Sequence, residues 1–274
     1  MMLASRARIR PPAVAGRFYP AGPARLRADV MKMLAASGVS EAPAPKAVIA
    51  PHAGYVYSGQ VAAAAFAAIG PAASAVSRVV VIGPTHYVAI CGIAVPTVGA
   101  FATPLGEIAC DRNALQDISR LAAVTANDAA HAPDHALEVE LPFLQVVLGR
   151  FTLVPLLVGD ARPADVAEVL RELWGGPETL IVVSSDLSHF HRYETARRLD
   201  AETGALIEAG NWAALGPDRA CGAAAIAGLL VETGRRGIEA RRLGLCNSGD
   251  TAGNRQRVVG YGAWAFAEAS PALQ

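Results

Sequence analysis

Lys46-Ala-Val-Ile-Ala-Pro-His52, Val79-Val-Val-Ile-Gly-Pro-Thr-His86 and Leu180-Ile-Val-Val-Ser-Ser-Asp-Leu-Ser-His189 follow one plan: an apolar run, a turn, then a histidine. Short apolar runs bounded by turn signals suit strands buried on both faces, as in a parallel sheet. Open α/β sheets bind ligands at the carboxyl ends of their strands. Three of the chain's six histidines fall at such ends, which marks a candidate site. Between the first two lies an alanine-rich stretch, residues 60–69, which reads as a helix capped by Ser58. A strand–helix–strand unit of this kind crosses over right-handed, so the loops bearing His52 and His86 should share one edge of the sheet.

Working outward, Pro23 opens a helix that runs to Ala36 with Gly38 just beyond it. Residues 90–95 and Ala100–Thr103 read as short strands, and Asp111 caps a helix reaching about residue 122. Residues 135–148 have a helical pattern that Pro142 must kink or open. Residues 152–157 form a strand whose Pro155 favours an edge or bulge. Residues 163–174 are helical and 180–183 form a central strand. Helices follow at Tyr193–Glu208 and about 221–233, then a last strand at Val258–Phe266. With no repeat or linker, residues 1–274 read as a single domain behind an extended arm (1–20): helices around a mainly parallel or mixed sheet.

Composition narrows the function classes. Twenty-four basic and 24 acidic residues leave no net charge, so nucleic-acid binding is not expected. Arg235, Arg236, Arg241 and Arg242 read as a solvated helix end and turn. The four cysteines form no C-x-x-C pair, which suits reduced thiols in the cytoplasm. Arg6, Arg8 and Arg10 have no apolar region behind them, so no signal peptide is expected. Residues 61–69 are too few to cross a bilayer, and residues 87–105 are broken by Gly92, Pro96, Gly99 and Pro104. A soluble protein without membrane contact is expected.

Neutral imidazoles ligate iron, zinc and copper, so His52 and His86 are candidate ligands. The third ligand could be Asp250, Cys246, Asp186 or Glu138. Two histidines and a carboxylate with open positions is the donor set of non-haem Fe(II) sites, though zinc hydrolases look the same at this level. His189 suits proton transfer beside a metal, with Asp186 to orient it. His135 and Glu138 stand three apart and share a face if helical. The run 184–189 lacks the G-x-S-x-G elbow of a serine hydrolase. Gly260-Tyr-Gly262 is no dinucleotide fingerprint.

Taken in order, Pro12-Ala-Val-Ala-Gly-Arg-Phe-Tyr-Pro20, Ala50-Pro-His-Ala-Gly-Tyr55, Gly83-Pro-Thr-His86, Thr103-Pro-Leu-Gly106, Asp134-His-Ala-Leu-Glu138, Leu141-Pro-Phe143, Ser184-Ser-Asp-Leu-Ser-His189, Cys221-Gly222 and Asn247-Ser-Gly-Asp250 resemble motifs of the Memo family, called AmmeMemoRadiSam system protein B in prokaryotes. The resemblance runs from about residue 10 to 266. It implies a three-layer α/β/α sandwich similar to the LigB-like class III extradiol dioxygenases, which use Fe(II) and O₂. It implies His52 and His86 as metal ligands and His189 as the acid–base histidine; in an oxidoreductase, Asp186 or His135 would support His189. Animal Memo proteins carry a cysteine in the last loop where this chain has Thr251, with Cys246 five residues earlier. The neighbouring Asp250 is the expected substitute. Fe(II) is the expected metal, with copper or zinc as alternatives, and a small molecule the expected substrate. The family name links the chain to radical S-adenosylmethionine (SAM) proteins. The alternatives to an oxidoreductase are a metal-holding or partner-binding protein without turnover, and a zinc hydrolase.

Overall fold

The computed structural model describes residues 8–38 and 43–268. Among the described residues, twelve strands form two sheets: β1 (Ile9–Arg10), β2 (Ala47–Ala50), β3 (Arg78–Pro84), β4 (Ile93–Val95), β5 (Ala100–Thr103), β6 (Gly106–Ala109), β7 (Val124–Ala126), β8 (Thr152–Val158), β9 (Thr179–Ser184), β10 (His189–His191), β11 (Ala240–Asn247) and β12 (Val258–Phe266). The helices are α1 (Pro23–Ala36), α2 (Tyr55–Ala67), α3 (Arg112–Ile118), α4 (Asp128–His131), α5 (Leu141–Leu148), α6 (Pro163–Leu173), α7 (Tyr193–Glu208) and α8 (Ala223–Arg236).

The main sheet runs β10-β12-β2-β9-β3-β8-β4-β7, with β11 also paired to β12. Its centre, β2-β9-β3-β8, is all parallel, and β12 closes on β2 antiparallel. The sheet is mixed around a parallel heart. Ala47–Ala50, Val79–Ile82 and Leu180–Val183 are at most 1% exposed, as expected of strands covered on both faces. On one face α2 packs against β2, β11 and β12, with α1 and α5 outside it. On the other α8 packs on β3 and β9 with α6 beside it, and α7 packs on β11 and β12. The three-layer α/β/α architecture expected for a single domain is therefore the one adopted. A small second sheet, β1-β5-β6, anchors the arm; of residues 1–20, positions 1–7, Arg6 included, lie outside the described residues.

Several boundaries differ from the sequence reading, each for a local reason. β2 and β3 are parallel and end at the same edge, but β9 lies between them. Helix α2 starts at Tyr55, so Ser58 sits inside it and its hydroxyl donates to Ala53 O at 3.0 Å. Asp111 caps α3 through Ala114 N, yet that helix ends at Ile118. Pro142 opens α5, preceded by a turn of 3₁₀ helix at Glu138–Glu140. Pro155 lies in the sheet interior: β3 pairs with it on one side, while β4 reaches only Leu157 and Val158 on the other. The missing N–H thus falls in a gap of the ladder. Arg241 and Arg242 belong to β11 rather than to a turn.

Candidate metal centre

Three loops converge at the carboxyl edge of the parallel strands. His52 follows β2 and is 1% exposed. Its backbone N–H donates to Asp186 Oδ1 at 2.9 Å, and its Nδ1 lies 2.8 Å from Ser184 Oγ at the end of β9. Gly83 lets β3 end close to this point: a Cβ there would stand 3.2 Å from Ser184 Cβ and from Ser184 O.

His86 follows β3. Asp134 holds it twice, accepting from the His86 backbone N–H at 2.6 Å and lying 3.1 Å from its Nδ1. Burial alone would raise the Asp134 carboxyl, but the His86 and Ala136 hydrogen bonds hold it below its ordinary value. An ionised carboxylate only accepts, so His86 Nδ1 carries the proton and Nε2 is free. His135, next to Asp134, completes the group.

The ring centroids of His52, His86 and His135 stand 5.2, 5.5 and 4.5 Å apart. One ring nitrogen from each lies within 4.8 Å of the other two. Burial, then the neighbouring histidines, push His52 well below its ordinary value. Burial, reinforced by His86, pushes His135 down to about 4. Both rings are neutral near pH 7 and keep a lone pair. His135 Nδ1 is buried with no hydrogen-bond partner among the described residues. An orphan nitrogen among neutral imidazoles fits a bound metal.

Beside the triad, His189 Nδ1 is 2.8 Å from Leu187 O. A carbonyl only accepts, so this nitrogen carries the proton and Nε2 presents the lone pair. Burial lowers the His189 value, and His86 is close enough to lower it further. Burial raises Asp186 to about 7 against the hydrogen bond from His52 N. Cys221 Sγ lies 3.4 Å from His52 Nε2, and burial pushes that thiol up to about 12. Two exposed aromatics stand nearby. The Tyr87 ring is 6.0 Å from His135, and Phe190 is 5.6 Å from His189. Phe190 is held at φ 64°, a left-handed backbone unusual for a bulky residue.

Two sequence expectations need correction. Asp250 is not part of the triad: its Oδ1 accepts the Tyr193 hydroxyl and its Oδ2 accepts Asn247 N at 3.0 Å. Both oxygens are engaged in fastening the last loop. Glu138 does not line the site either. It is fully buried and clamps the arm, 2.5 Å from Arg10 Nη1 and accepting from Ala13 N, Val14 N and the Tyr19 hydroxyl. The stretch 135–138 is a turn rather than a regular helix, so the assumed shared face does not exist. His52, His86, His135, Asp186 and His189 are brought together, with His135 as a candidate ligand rather than a support. Cys246 lies away from the triad, beside Asp250 and Asp200. Sequence reasoning assigned no role to Asp134, Ser184 or Glu140. Asp134 next to His135, and Ser184 at the end of an apolar run, were the available signals.

Residues 10–265 match the family model described as Memo-like protein. A MEMO1 family protein of Methanopyrus kandleri is 34% identical over 284 residues, covering 94% of this chain and 98% of that protein. One from Aeropyrum pernix is 34% identical, covering 93% and 98%, and one from Aquifex aeolicus is 32% identical, covering 93% and 97%. A crystal structure of an uncharacterised protein from Escherichia coli K12 aligns with a TM-score of 0.46 at 12% identity, covering 78% of this chain and 98% of that one.

Proposed function

Because the chain belongs to the Memo family, we propose that it holds a divalent metal on His52, His86 and His135 and acts as a dioxygenase-like, metal-dependent oxidoreductase. The observation that carries the reading is the convergence of three ring nitrogens at the edge of a parallel sheet, in a group that includes the unpartnered His135 Nδ1. Fe(II) is our first choice. Bound there, it would supply Lewis acidity and redox capacity.

The protein's own residues do the rest. His189 offers an Nε2 lone pair to take a proton from a substrate hydroxyl, with Leu187 O fixing its tautomer. Asp186, poised near neutrality, holds the His52 loop through two backbone N–H groups. Tyr87 and Phe190 offer faces for a planar, aromatic small molecule. We place the protein in the cytoplasm, in a pathway shared with a radical SAM protein. All four cysteines are free, and no described helix is long and apolar enough to cross a membrane.

Three imidazoles without a carboxylate also match a catalytic zinc donor set, so zinc hydrolysis is the second reading. The test is anaerobic loading with Fe²⁺ or Zn²⁺, metal analysis, and oxygen uptake over a catechol panel. We expect one iron per chain, lost in His52→Ala and His135→Ala, with oxygen consumed by the wild type. Equal metal content in wild type and both variants would refute the centre. Metal uptake with no oxygen consumption would leave a metal-holding protein, and hydrolysis restored by Zn²⁺ would favour the second reading.

A further inference from the structure

Ser184 Oγ stands at the meeting point of three polar atoms. It lies 2.8 Å from His52 Nδ1, 2.6 Å from Ala136 O and 2.8 Å from Glu140 Oε1. Ser184, Glu140 and His52 are each at most 1% exposed, so these contacts must be satisfied within the protein.

A serine hydroxyl has one hydrogen and two lone pairs. Ala136 O is a carbonyl and can only accept, at the shortest of the three distances. The hydroxyl hydrogen therefore points to Ala136 O, and the two remaining neighbours must donate to Ser184 Oγ. For His52 that means a proton on Nδ1 and a bare lone pair on Nε2. For Glu140 it means a neutral acid donating through Oε1. Burial raises the Glu140 carboxyl well above its ordinary range, and its Oε2 has no partner among the described residues, which a neutral acid tolerates far better than a carboxylate. On the far side of the ring, Cys221 Sγ sits 3.4 Å from Nε2 as a protonated thiol, a donor toward a lone pair.

From this donor count we infer that Ser184, backed by Glu140, is a positioning residue that locks His52 in its Nδ1–H tautomer and presents Nε2 to a metal. The inference rests on the metal reading only for its purpose; the tautomer itself is a property of the metal-free protein. Were the tautomer reversed, Ala136 O would face an oxygen at 2.6 Å with no hydrogen between them, and Nε2 would carry a proton where a ligand lone pair is needed. His86 is fixed the same way by Asp134, so two of the three imidazoles arrive with the correct nitrogen bare. Outer partners of ligating histidines commonly hold tautomer and orientation in this way.

The experiment is ¹H–¹⁵N multiple-bond NMR on metal-free protein labelled at histidine, with His52 assigned from the signals lost in His52→Gln. We expect a protonated Nδ1 and an unprotonated Nε2. In Ser184→Ala the tautomers should mix, and affinity for Zn²⁺, used as the probe, should fall about 10- to 100-fold. Glu140→Gln keeps a donor toward Ser184 Oγ and should retain both tautomer and affinity. An Nε2–H tautomer in wild type, or an unchanged tautomer in Ser184→Ala, would overturn the inference. If Ser184→Ala fails to fold, the wild-type spectrum still decides. An Nδ1–H tautomer in a protein that binds no metal would uphold the wiring and sink the metal reading instead.

Discussion

Asp200 illustrates how far one side chain can depart from its ordinary chemistry. It is 2% exposed, its Oδ1 accepts from Ser188 N at 3.0 Å and its Oδ2 has no partner among the described residues. Burial raises its value from 3.8 to about 6. The folded state thus holds its proton more tightly than the unfolded chain. The sign follows: the carboxyl contributes no penalty below about pH 3.8, and the penalty grows as pH rises through 6 and is complete above it. Asp200→Asn, of the same shape, should stabilise the metal-free protein by about 1–3 kcal/mol at pH 8 and by nothing measurable near pH 3.5. Urea denaturation at the two pH values checks this; an equal effect at both would show that charge burial is not the cause. The same residue-scale chemistry explains why Asp250 is not among the three clustered residues. Its carboxylate is satisfied by Tyr193 and Asn247: the Asn247 contact is a local capping box, whereas Tyr193 lies 57 positions away, of which no local pattern gives notice.

Among the elements, the arm before α1 is held by a buried ion pair rather than by regular structure. β1 is two residues long, yet Arg10 reaches Glu138 and also donates to His131 O at 2.8 Å. Glu138 gathers Ala13, Val14 and Tyr19 onto the turn before α5. Removing one partner of a buried pair leaves the other charge uncompensated, at about 3–5 kcal/mol. Glu138→Ala should therefore lower stability by about that amount and open the arm to limited proteolysis. Stability loss without faster cleavage in residues 8–20 would place the clamp's role elsewhere. The arm matters for the site because Phe18, which it carries, packs 4.7 Å from His135. Phe18 also lines a cavity of about 510 Å³ with Tyr55 and Lys32. Glu138 belongs to the site's support, one step removed from its chemistry.

For the molecule as a whole, the site stands where chain segments distant in sequence meet. A ligand that binds only the folded state stabilises it by about 2.7 kcal/mol at one hundred times its Kd. Saturating Zn²⁺ or Fe²⁺ should raise the melting temperature of the wild type and of Asp250→Ala by several degrees, and should not raise that of His86→Ala. An Asp250→Ala protein that loses the metal shift would return the last loop to the centre.

The central parallel strands and the last strand, the edge at which the site lies and two of its histidines were legible in the sequence, whereas β11 was not. Apolar runs such as 79–82 and 180–183 can be stable only when covered on both faces, and a crossover between parallel strands fixes which ends coincide. The insertion of β9 between β2 and β3 was not legible. Nor was the replacement of Asp250 by His135, or the junction of Ser184, Glu140 and Ala136 behind His52. Those depend on which strands pair and which carboxylates are already engaged. Such competition among groups far apart in the chain is settled only when the chain has packed, because a buried donor or acceptor takes the partner that packing leaves within reach. Sequence by itself determined the buried parallel strands and the edge where their histidines gather; tertiary structure decided the strand order and which nitrogens face one another.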